Sequence, residues 1–437
     1  MKFTPCGAAY VLLACLISPW AVADDALTPE ERGLADWILE HAPEAEALLE
    51  DTVNINSGTL NPVGVRRVGE RLGREFEALG FVTEWVEQPA AMKRGGHLIA
   101  RHEGKRGRKM LLIGHLDTVY EADDTFQAYS AEGDVARGPG VYDMKSGNVI
   151  LLHALRGLAA QGLLEGLQVT VVLTGDEESP GEPLAESRRH LIEAGLWADV
   201  ALGFESGVQE DGEEWATVAR RSSSDWVLEV TGKQAHSAGI FNESTGAGAI
   251  FEASRILNGF YDEVRGERYL TFNAGTILGG TEVSYDPEGS RGSAYGKTNV
   301  VPSKVVVHGG LRTISEEQTE RARTAMRRVV QSHLPHTDAT ISFNDSYPAM
   351  APTEGNERLR VMLSDINVAL GRKPMPAFDP ARRGAADISF VAPHADALAG
   401  LGGYGEGAHS PDERFFLSSL PVAAQRAAIL IHRLGLQ

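Results

Sequence analysis

The chain has 437 residues, of which 43% are hydrophobic and 23% are charged. This length and balance are typical of a soluble globular protein with one large or two moderate domains. The formal net charge of −19 at pH 7 excludes nucleic acid and anionic membrane surfaces as partners, because both would repel so acidic a protein.

The N-terminus carries the pattern of an export signal. Lys2 is followed by an apolar stretch from Cys6 to Ile17 and by the small-residue triplet Ala21-Val22-Ala23. A basic start, a short apolar region and an A-x-A site predict a cleaved signal peptide over residues 1–23, which is too short to span a membrane. The expected location is therefore periplasmic or secreted. Lipoprotein anchoring at Cys15 is the alternative.

The two cysteines of the chain, Cys6 and Cys15, both lie in this predicted leader. The mature protein is then expected to contain no cysteine. Disulfides and thiolate metal sites are thereby excluded, so a metal ion would have to be held by imidazole and carboxylate groups.

After a helical region from Leu34 to Leu79, strand and helix patterns alternate. Met110 to Gly114 is typical of a buried strand, Val149 to Ala160 of a helix, and Gln168 to Thr174 of another strand. A further strand is predicted over Asp199 to Phe204. Such alternation predicts an α/β fold with a mostly parallel sheet flanked by helices.

The pattern changes after Arg220-Arg221, which we interpret as solvated hinge charges without a chemical role. The later elements follow the order βαββαβ, a two-layer ferredoxin-like arrangement, with Gly279 to Gly296 as a long loop. A lid domain is therefore predicted to be inserted into the α/β domain. The predicted limits are 24–222 and 348–437 for the catalytic domain and 223–347 for the lid.

Metal-binding residue types follow three of the apolar runs. His115 and Asp117 come directly after MLLIG, Glu177 and Glu178 follow QVTVVLTGD, and Glu205 follows DVALGF. Because ligands of an open α/β sheet collect beyond the carboxyl ends of its strands, these side chains are expected to meet at one edge.

Two further candidates lie in loops. Asp143 is in the turn GVYDMKSG ahead of a helix, and His409 is in the glycine-rich stretch 402–410. Mixed imidazole and carboxylate ligands suit zinc, with cobalt or manganese as alternatives. So many donors exceed the three protein ligands of one catalytic zinc, and two metals sharing a carboxylate fit better.

This constellation resembles the M20 family of dinuclear zinc peptidases over essentially the whole predicted mature chain. The metal ligands that the resemblance implies are His115, Asp143, Glu178, Glu205 and His409. Asp143 would bridge two zinc ions, Asp117 would support His115, and Glu177 would be the general base.

The resemblance extends to the predicted lid. The segment GKQAHSAG, residues 232–239, is similar to a family motif whose histidine, here His236, reaches the active site of the partner subunit and helps to stabilise the oxyanion. A homodimer formed through the lid is thus implied. Asn273 and Arg312 match lid residues that would hold the substrate carbonyl and carboxylate. The match weakens over RRGAAD, residues 382–387, where Gly384 is the implied substrate-binding position.

The family's carboxypeptidases and aminoacyl deacylases tend to carry Glu at the Glu205 position, whereas its aminopeptidases tend to carry Asp. The resemblance therefore implies an exported carboxypeptidase acting on a peptide or N-acyl amino acid, most like the glutamate carboxypeptidase branch. An aminoacylase or dipeptidase of the same fold is the first alternative. A non-catalytic peptide-binding protein is the second, although binding alone would not need a base such as Glu177.

Overall fold

The structure is a computed structural model that describes residues 27–286 and 291–437. The predicted leader, with both cysteines, lies outside the described residues. The helices are α1 Pro29–Glu40, α2 Ala42–Val53, α3 Pro62–Ala78, α4 Ser146–Ala160, α5 Leu184–Ser187, α6 Arg189–Trp197, α7 Ala249–Glu263, α8 Glu316–Val330, α9 Glu354–Ala369 and α10 Ser419–Leu434.

Eighteen strands are described. They are β1 Val82–Val86, β2 His97–His102, β3 Arg106–His115, β4 Ser130–Glu132, β5 Val135–Arg137, β6 Leu167–Thr174, β7 Val200–Gly203, β8 Val208–Glu210, β9 Glu213–Trp215, β10 Ser224–Gly232, β11 Thr271–Gly280, β12 Glu282–Asp286, β13 Arg291–Tyr295, β14 Lys304–Arg312, β15 Thr337–Asp345, β16 Asp396–Leu398, β17 Gly405–Glu406 and β18 Arg414–Phe416.

The largest sheet has six strands in the order β1-β2-β6-β3-β7-β16. Strands β6, β3, β7 and β16 are mutually parallel, and β2 runs antiparallel to its neighbours β1 and β6. The mostly parallel sheet predicted from the sequence is confirmed. Because β3 lies between β6 and β7, the carboxyl ends of these three strands share one edge of the sheet.

This sheet is buried on both faces, as its continuous apolar strands require. On β3, Met110 and Leu112 pack into the large core formed with helices such as α4 and α10. Leu111 and Ile113 point to the opposite face and pack into a smaller core. The alternation along one strand therefore joins two helical layers to one sheet.

A second sheet of four antiparallel strands, in the order β11-β14-β10-β15, forms the inserted unit. Trp226, Leu228 and Val230 of β10 point into a separate core with Phe260 of α7 and Met326 of α8. The alternate residues of β10 are polar or less buried, so one face of the sheet carries the helices. The element and strand orders match the ferredoxin-like prediction, and the predicted fold class is confirmed.

The predicted long loop over Gly279 to Gly296 is wrong in part, because it contains the hairpin of β12 and β13. Val283 pairs with Ala294 in this hairpin. The Tyr285 hydroxyl contacts the His308 ring nitrogen Nδ1 at 2.5 Å, so one strand is anchored on β14. The five glycines of this segment, together with Asp286 and Pro287, concealed the two short strands.

The segment that enters the second sheet and the segment that leaves it lie side by side. The backbone N–H of Ser223, just before β10, donates to the carbonyl of Tyr347, just after β15, at 2.8 Å. The domain limits given above remain a prediction, although these contacts lie close to them. Within the described part of the chain, no helix combines the length and apolar character needed to cross a membrane.

Candidate metal centre

Three parallel strands deliver acids and an imidazole to one sheet edge. Strand β3 ends at His115, β6 ends three residues before Glu177, and β7 ends two residues before Glu205. His115 Nε2 lies 3.7 Å from a Glu205 carboxylate oxygen. The sequence prediction that these strand ends meet is therefore correct in its geometry.

The two loop candidates join the same cluster. Asp143 lies in the turn Val141–Lys145 that precedes α4, with Oδ1 3.4 Å from His115 Nε2. His409 Nε2 lies 3.2 Å from both Asp143 Oδ2 and Glu178 Oε2. The loop that carries His409 is held by the Tyr120 hydroxyl, which donates to the Ser410 carbonyl at 2.7 Å.

The donors form two overlapping groups that share His115. One group adds Asp143 and Glu178, the other adds Glu177 and Glu205, and within each group the ligand atoms lie within 4.8 Å of one another. The second group contains the predicted base. The geometry alone thus allows Glu177 either to contact a metal ion or to act on a water molecule beside it.

Two buried atoms in this cluster lack hydrogen bonds. Among the described residues, His115 Nε2 and Glu178 Oε1 have no hydrogen-bond partner, although their side chains are only 1% and 7% exposed. A buried polar atom without a partner is costly. Nitrogen and oxygen donors left free at the meeting point of several carboxylates fit divalent metal ions such as zinc.

The electrostatics agree with this fit. Burial and the charge of Glu205 raise the pKa of Glu177 well above its usual value. Burial and nearby Asp143 raise the pKa of Glu178 to about 7, and hydrogen bonds to Asp143 and Glu178 raise the pKa of His409 to about 10. Crowded carboxylates thus favour added positive charge, which metal ions supply.

Asp117 is buried behind the cluster, where it contacts Thr59, the Glu177-Glu178 turn and His115. Its carboxylate accepts from the Thr59 hydroxyl at 2.6 Å and from the backbone N–H groups of Glu177 and Glu178 at 3.0 and 3.1 Å. His115 Nδ1 lies 3.0 Å from the Asp117 carbonyl oxygen. Orienting a ligand histidine and the adjacent turn is the role of residues that surround a metal site.

Glu413, which was not predicted from the sequence, supports the Asp143 turn. Its buried carboxylate accepts from the backbone N–H groups of Gly140, Tyr142 and Asp143 at 3.2, 2.8 and 2.9 Å. The turn is therefore fixed by a residue distant in the sequence. Its position four residues after His409 was the only available signal.

Arg220 corrects an interpretation made from the sequence, because it is not a solvated charge. Its side chain is 3% exposed, and one guanidinium nitrogen lies 3.4 Å from a Glu205 carboxylate oxygen. Another donates to the Gly384 carbonyl at 3.1 Å. Backbone hydrogen bonds with Met350, both of 3.0 Å, hold this segment inside the protein and direct the side chain to the centre.

A buried polar cluster lies behind Glu177. The Tyr347 hydroxyl donates to the Glu177 carbonyl at 2.8 Å and accepts from Arg188 at 2.8 Å. Arg188 also forms ion pairs of 2.7 Å with Asp176 and Asp387. Because Tyr347 follows β15, the return crossing from the second sheet contacts the backbone of the predicted base.

The predicted lid residues lie outside the cluster within one chain. His236 is exposed in a turn, where its ring nitrogen Nδ1 accepts from the Ala238 N–H at 3.2 Å. Asn273 is exposed on β11, and Arg312 is exposed at the end of β14, opposite Thr271. Their roles remain predictions, as do those of the individual cluster residues.

Comparison with known proteins identifies the family. Residues 111–433 match the model for peptidase family M20/M25/M40. The chain belongs to this family. It is therefore a hydrolase of the metal-dependent peptidase class, and the M20 resemblance noted from the motifs is confirmed.

Two M20 relatives align over most of the chain. Carboxypeptidase G2 from Pseudomonas sp. (strain RS-16) is 28% identical over 433 residues, covering 97% of both proteins. Succinyl-diaminopimelate desuccinylase from Gluconobacter oxydans (strain 621H) is 27% identical over 388 residues, covering 86% of this chain and 93% of that protein.

A solved structure shares the fold. The aminopeptidase PepT from Bacillus cereus ATCC 10987 superposes with a TM-score of 0.71 at 19% identity, covering 90% of this chain and 98% of that chain. At this identity the likeness establishes the common architecture of the two domains and not a common substrate.

Proposed function

We propose that the protein is a two-zinc carboxypeptidase that hydrolyses the amide bond to a C-terminal amino acid. The observation that carries the proposal is the meeting of the strand-end and loop donors, with Glu177 beside them and Asp117 behind them. The residues proposed to hold the two ions are His115, Asp143, Glu178, Glu205 and His409. Cobalt or manganese would suit the same donors.

Metal ions bound there would polarise the scissile carbonyl and lower the pKa of a water molecule between them. Glu177 would accept the proton of that water as it attacks the carbonyl, and would then pass the proton to the leaving amine. The raised pKa of Glu177, caused by burial and by Glu205, suits a group that must both take and return a proton. Asp117 and Tyr347 hold the backbone of this base in place.

The carboxypeptidase assignment is supported by the end-to-end match to carboxypeptidase G2 and by glutamate at position 205. Asn273 and Arg312 are proposed to hold the substrate carbonyl and carboxylate, with glutamate as the candidate C-terminal residue. The match to a desuccinylase favours a second candidate, the removal of an N-acyl group from an amino acid. Both reactions use the same metal centre.

A homodimer is proposed to complete the site. The second domain exposes Phe241, Ile250, Phe251 and Ile277, each more than two-fifths exposed. Phe241 and Phe251 stack edge to face with ring centroids 5.2 Å apart. Phe241 follows His236 by five residues, so an interface on this surface would bring His236 towards a partner subunit. An exposed apolar cluster of this kind is typical of an association site.

Hybrid dimers test the role of His236. A His236→Ala variant and a Glu177→Gln variant, each inactive as a homodimer, should regain partial activity when mixed, because one of the two sites in each hybrid receives both intact residues. Native mass spectrometry would establish that subunits exchange. Hybrids that form but remain inactive would contradict action across the dimer.

Export is proposed on the pattern of residues 1–23. Expression of the full chain, fractionation of the cells and N-terminal sequencing of the mature protein should find it outside the cytoplasm and beginning at Asp24. A lipid-modified cysteine at position 15 would favour the lipoprotein alternative. A cytoplasmic protein that keeps its first residues would contradict export.

One substrate panel tests the proposed reaction. Purified protein loaded with zinc should be assayed against folate-type glutamate conjugates, other N-acyl amino acids and dipeptides, with and without a chelator. Release of a C-terminal amino acid that the chelator abolishes and zinc restores would support the proposal. Binding of these compounds without hydrolysis by any metal-loaded form would instead favour the non-catalytic alternative.

A further inference from the structure

Arg383 lies beside the metal centre, near the charges of Glu205 and Asp143, but makes no direct ion pair. One terminal nitrogen, Nη2, donates to the carbonyl of Ser206, the residue after Glu205, at 3.1 Å. Among residues 27–286 and 291–437, no carboxylate lies within 4.0 Å of its guanidinium, and no hydrogen bond is made by Nε or Nη1. Nε is buried, so Nη1 is the nitrogen available to a ligand.

Two other arginines near this position, Arg382 and Arg220, do contact a carboxylate. Arg382 contacts both carboxylate oxygens of Glu210, at 2.5 and 2.6 Å, and Arg220 contacts Glu205. The whole chain carries 60 acidic residues against 41 Lys and Arg, so acidic partners are abundant. A partly buried guanidinium that makes no direct ion pair and lies near Arg220 is unfavourable, and a carboxylate of a ligand would supply the missing contact.

Arg383 also lines a cavity of about 280 Å³ next to the centre. Tyr142, the residue before Asp143, also lines the cavity, as do the aromatic residues Phe378, Tyr404 and Phe416. Two acids at its border, Glu210 and Glu406, are already paired with Arg382 and Arg414. Every lining residue lies outside the second sheet. The cavity is therefore on the catalytic-domain side, whereas Arg312 and Asn273 lie on the lid.

We propose that Arg383 binds a carboxylate on the acyl half of the substrate, the half that remains after the C-terminal amino acid leaves. This inference rests on the proposed function, in which the lid residues hold the leaving amino acid. The acyl half then extends to the catalytic-domain side, into the cavity that Arg383 borders. A planar guanidinium recognises carboxylates by paired, directional N–H donors. The preferred substrates would thus carry an acid on both sides of the scissile bond.

A pair of substrates that differ in one group tests this. An N-succinyl and an N-butyryl derivative of the same amino acid differ by the acyl carboxylate alone. For the Arg383→Gln variant, the ratio of kcat/KM for the succinyl over the butyryl compound should fall about 10- to 100-fold, the effect of a lost hydrogen bond to a charged group. In the Arg383→Lys variant, which retains the positive charge, this ratio should fall less.

Arg101→Gln is the matched control, since its guanidinium is paired with Glu84 at 2.8 Å and lies outside this cavity, and it should keep the wild-type ratio. An unchanged ratio in Arg383→Gln, or equal losses for both substrates, would overturn the proposal while leaving the carboxypeptidase assignment intact. If neither substrate is hydrolysed, the proposed function fails. The role of Arg383 can then be tested by equilibrium dialysis, which compares the binding of succinate with that of butyrate. The wild-type protein should prefer succinate, and the Arg383→Gln variant should lose this preference. A preference that persists in the variant would refute the role of Arg383.

Discussion

Replacing Asp117 with asparagine should weaken both the fold around the centre and the binding of metal. The carboxylate accepts three hydrogen bonds from buried donors, at 2.6, 3.0 and 3.1 Å. Asparagine keeps one acceptor oxygen, so its NH2 group must face at least one N–H of the Glu177-Glu178 turn. A hydrogen bond to a charged group contributes about 1.5–3 kcal/mol and a neutral one about 1 kcal/mol. One bond lost and two weakened then amount to about 3–6 kcal/mol.

The displaced turn carries both a proposed ligand and the proposed base, so the effect should reach the chemistry. Loss of a residue that orients metal ligands lowers metal affinity about 10- to 100-fold. Urea unfolding of the metal-free protein would measure stability, and competition with a chelator would measure zinc affinity. Asp134→Asn is the control, since Asp134 accepts from the backbone N–H and hydroxyl of Ser418 away from the centre. Wild-type zinc affinity and turnover in Asp117→Asn would refute this reasoning.

Three further changes test separate contacts. Tyr347→Phe removes the 2.8 Å hydrogen bond to the Glu177 carbonyl, which contributes about 0.5–1.5 kcal/mol. Steady-state kinetics should therefore show kcat reduced about 2- to 10-fold with little change in KM. A change in KM alone would contradict a positioning role for Tyr347. Glu413→Gln should lower zinc affinity measured by chelator competition, because the three N–H groups of the Asp143 turn lose a charged acceptor, and unaltered affinity would exclude that role. Although burial opposes it, hydrogen bonds such as that from Arg372 hold the pKa of Glu214 at about 2. The stabilisation that ionised Glu214 provides should be complete above the unfolded-state pKa of about 4.3 and should disappear as the pH falls towards 2. The difference in melting temperature between wild type and Glu214→Gln should therefore narrow from pH 6 to pH 3. A constant difference would contradict this dependence of stability on the ionisation of Glu214.

The sequence predicted what local patterns determine. Apolar runs such as MLLIG identified buried strands, and the order of strands and helices implied that His115, Glu177 and Glu205 would meet at one edge. Glu413 and Tyr347 could not be predicted in this way, since each acts through a contact with a distant part of the chain. Glu413 is 270 residues from Asp143, and its place four residues after His409 does not by itself indicate a contact with the Asp143 turn.

Arg220 shows the opposite error, in which a local pattern was misleading. Two adjacent arginines before a serine run are typical of a solvated connection, but backbone pairing with Met350 buries the first of them against Glu205. Similarly, the glycine-rich composition of 279–296 hid a hairpin whose strands are stabilised by packing on the second sheet. Both errors arose because long-range packing decided the burial of a polar segment.

The central claim is that the clustered acids and imidazoles hold two metal ions while Glu177 alone transfers the proton. Zinc analysis of the Glu177→Gln variant, combined with its turnover number on the substrate found by the panel, tests this directly. We expect about two zinc ions per subunit, as in the wild type, with kcat reduced about 10²- to 10⁴-fold or more by loss of the general base. Full turnover would remove Glu177 from the mechanism, and a folded variant that loses one zinc ion would make Glu177 a ligand instead of the base.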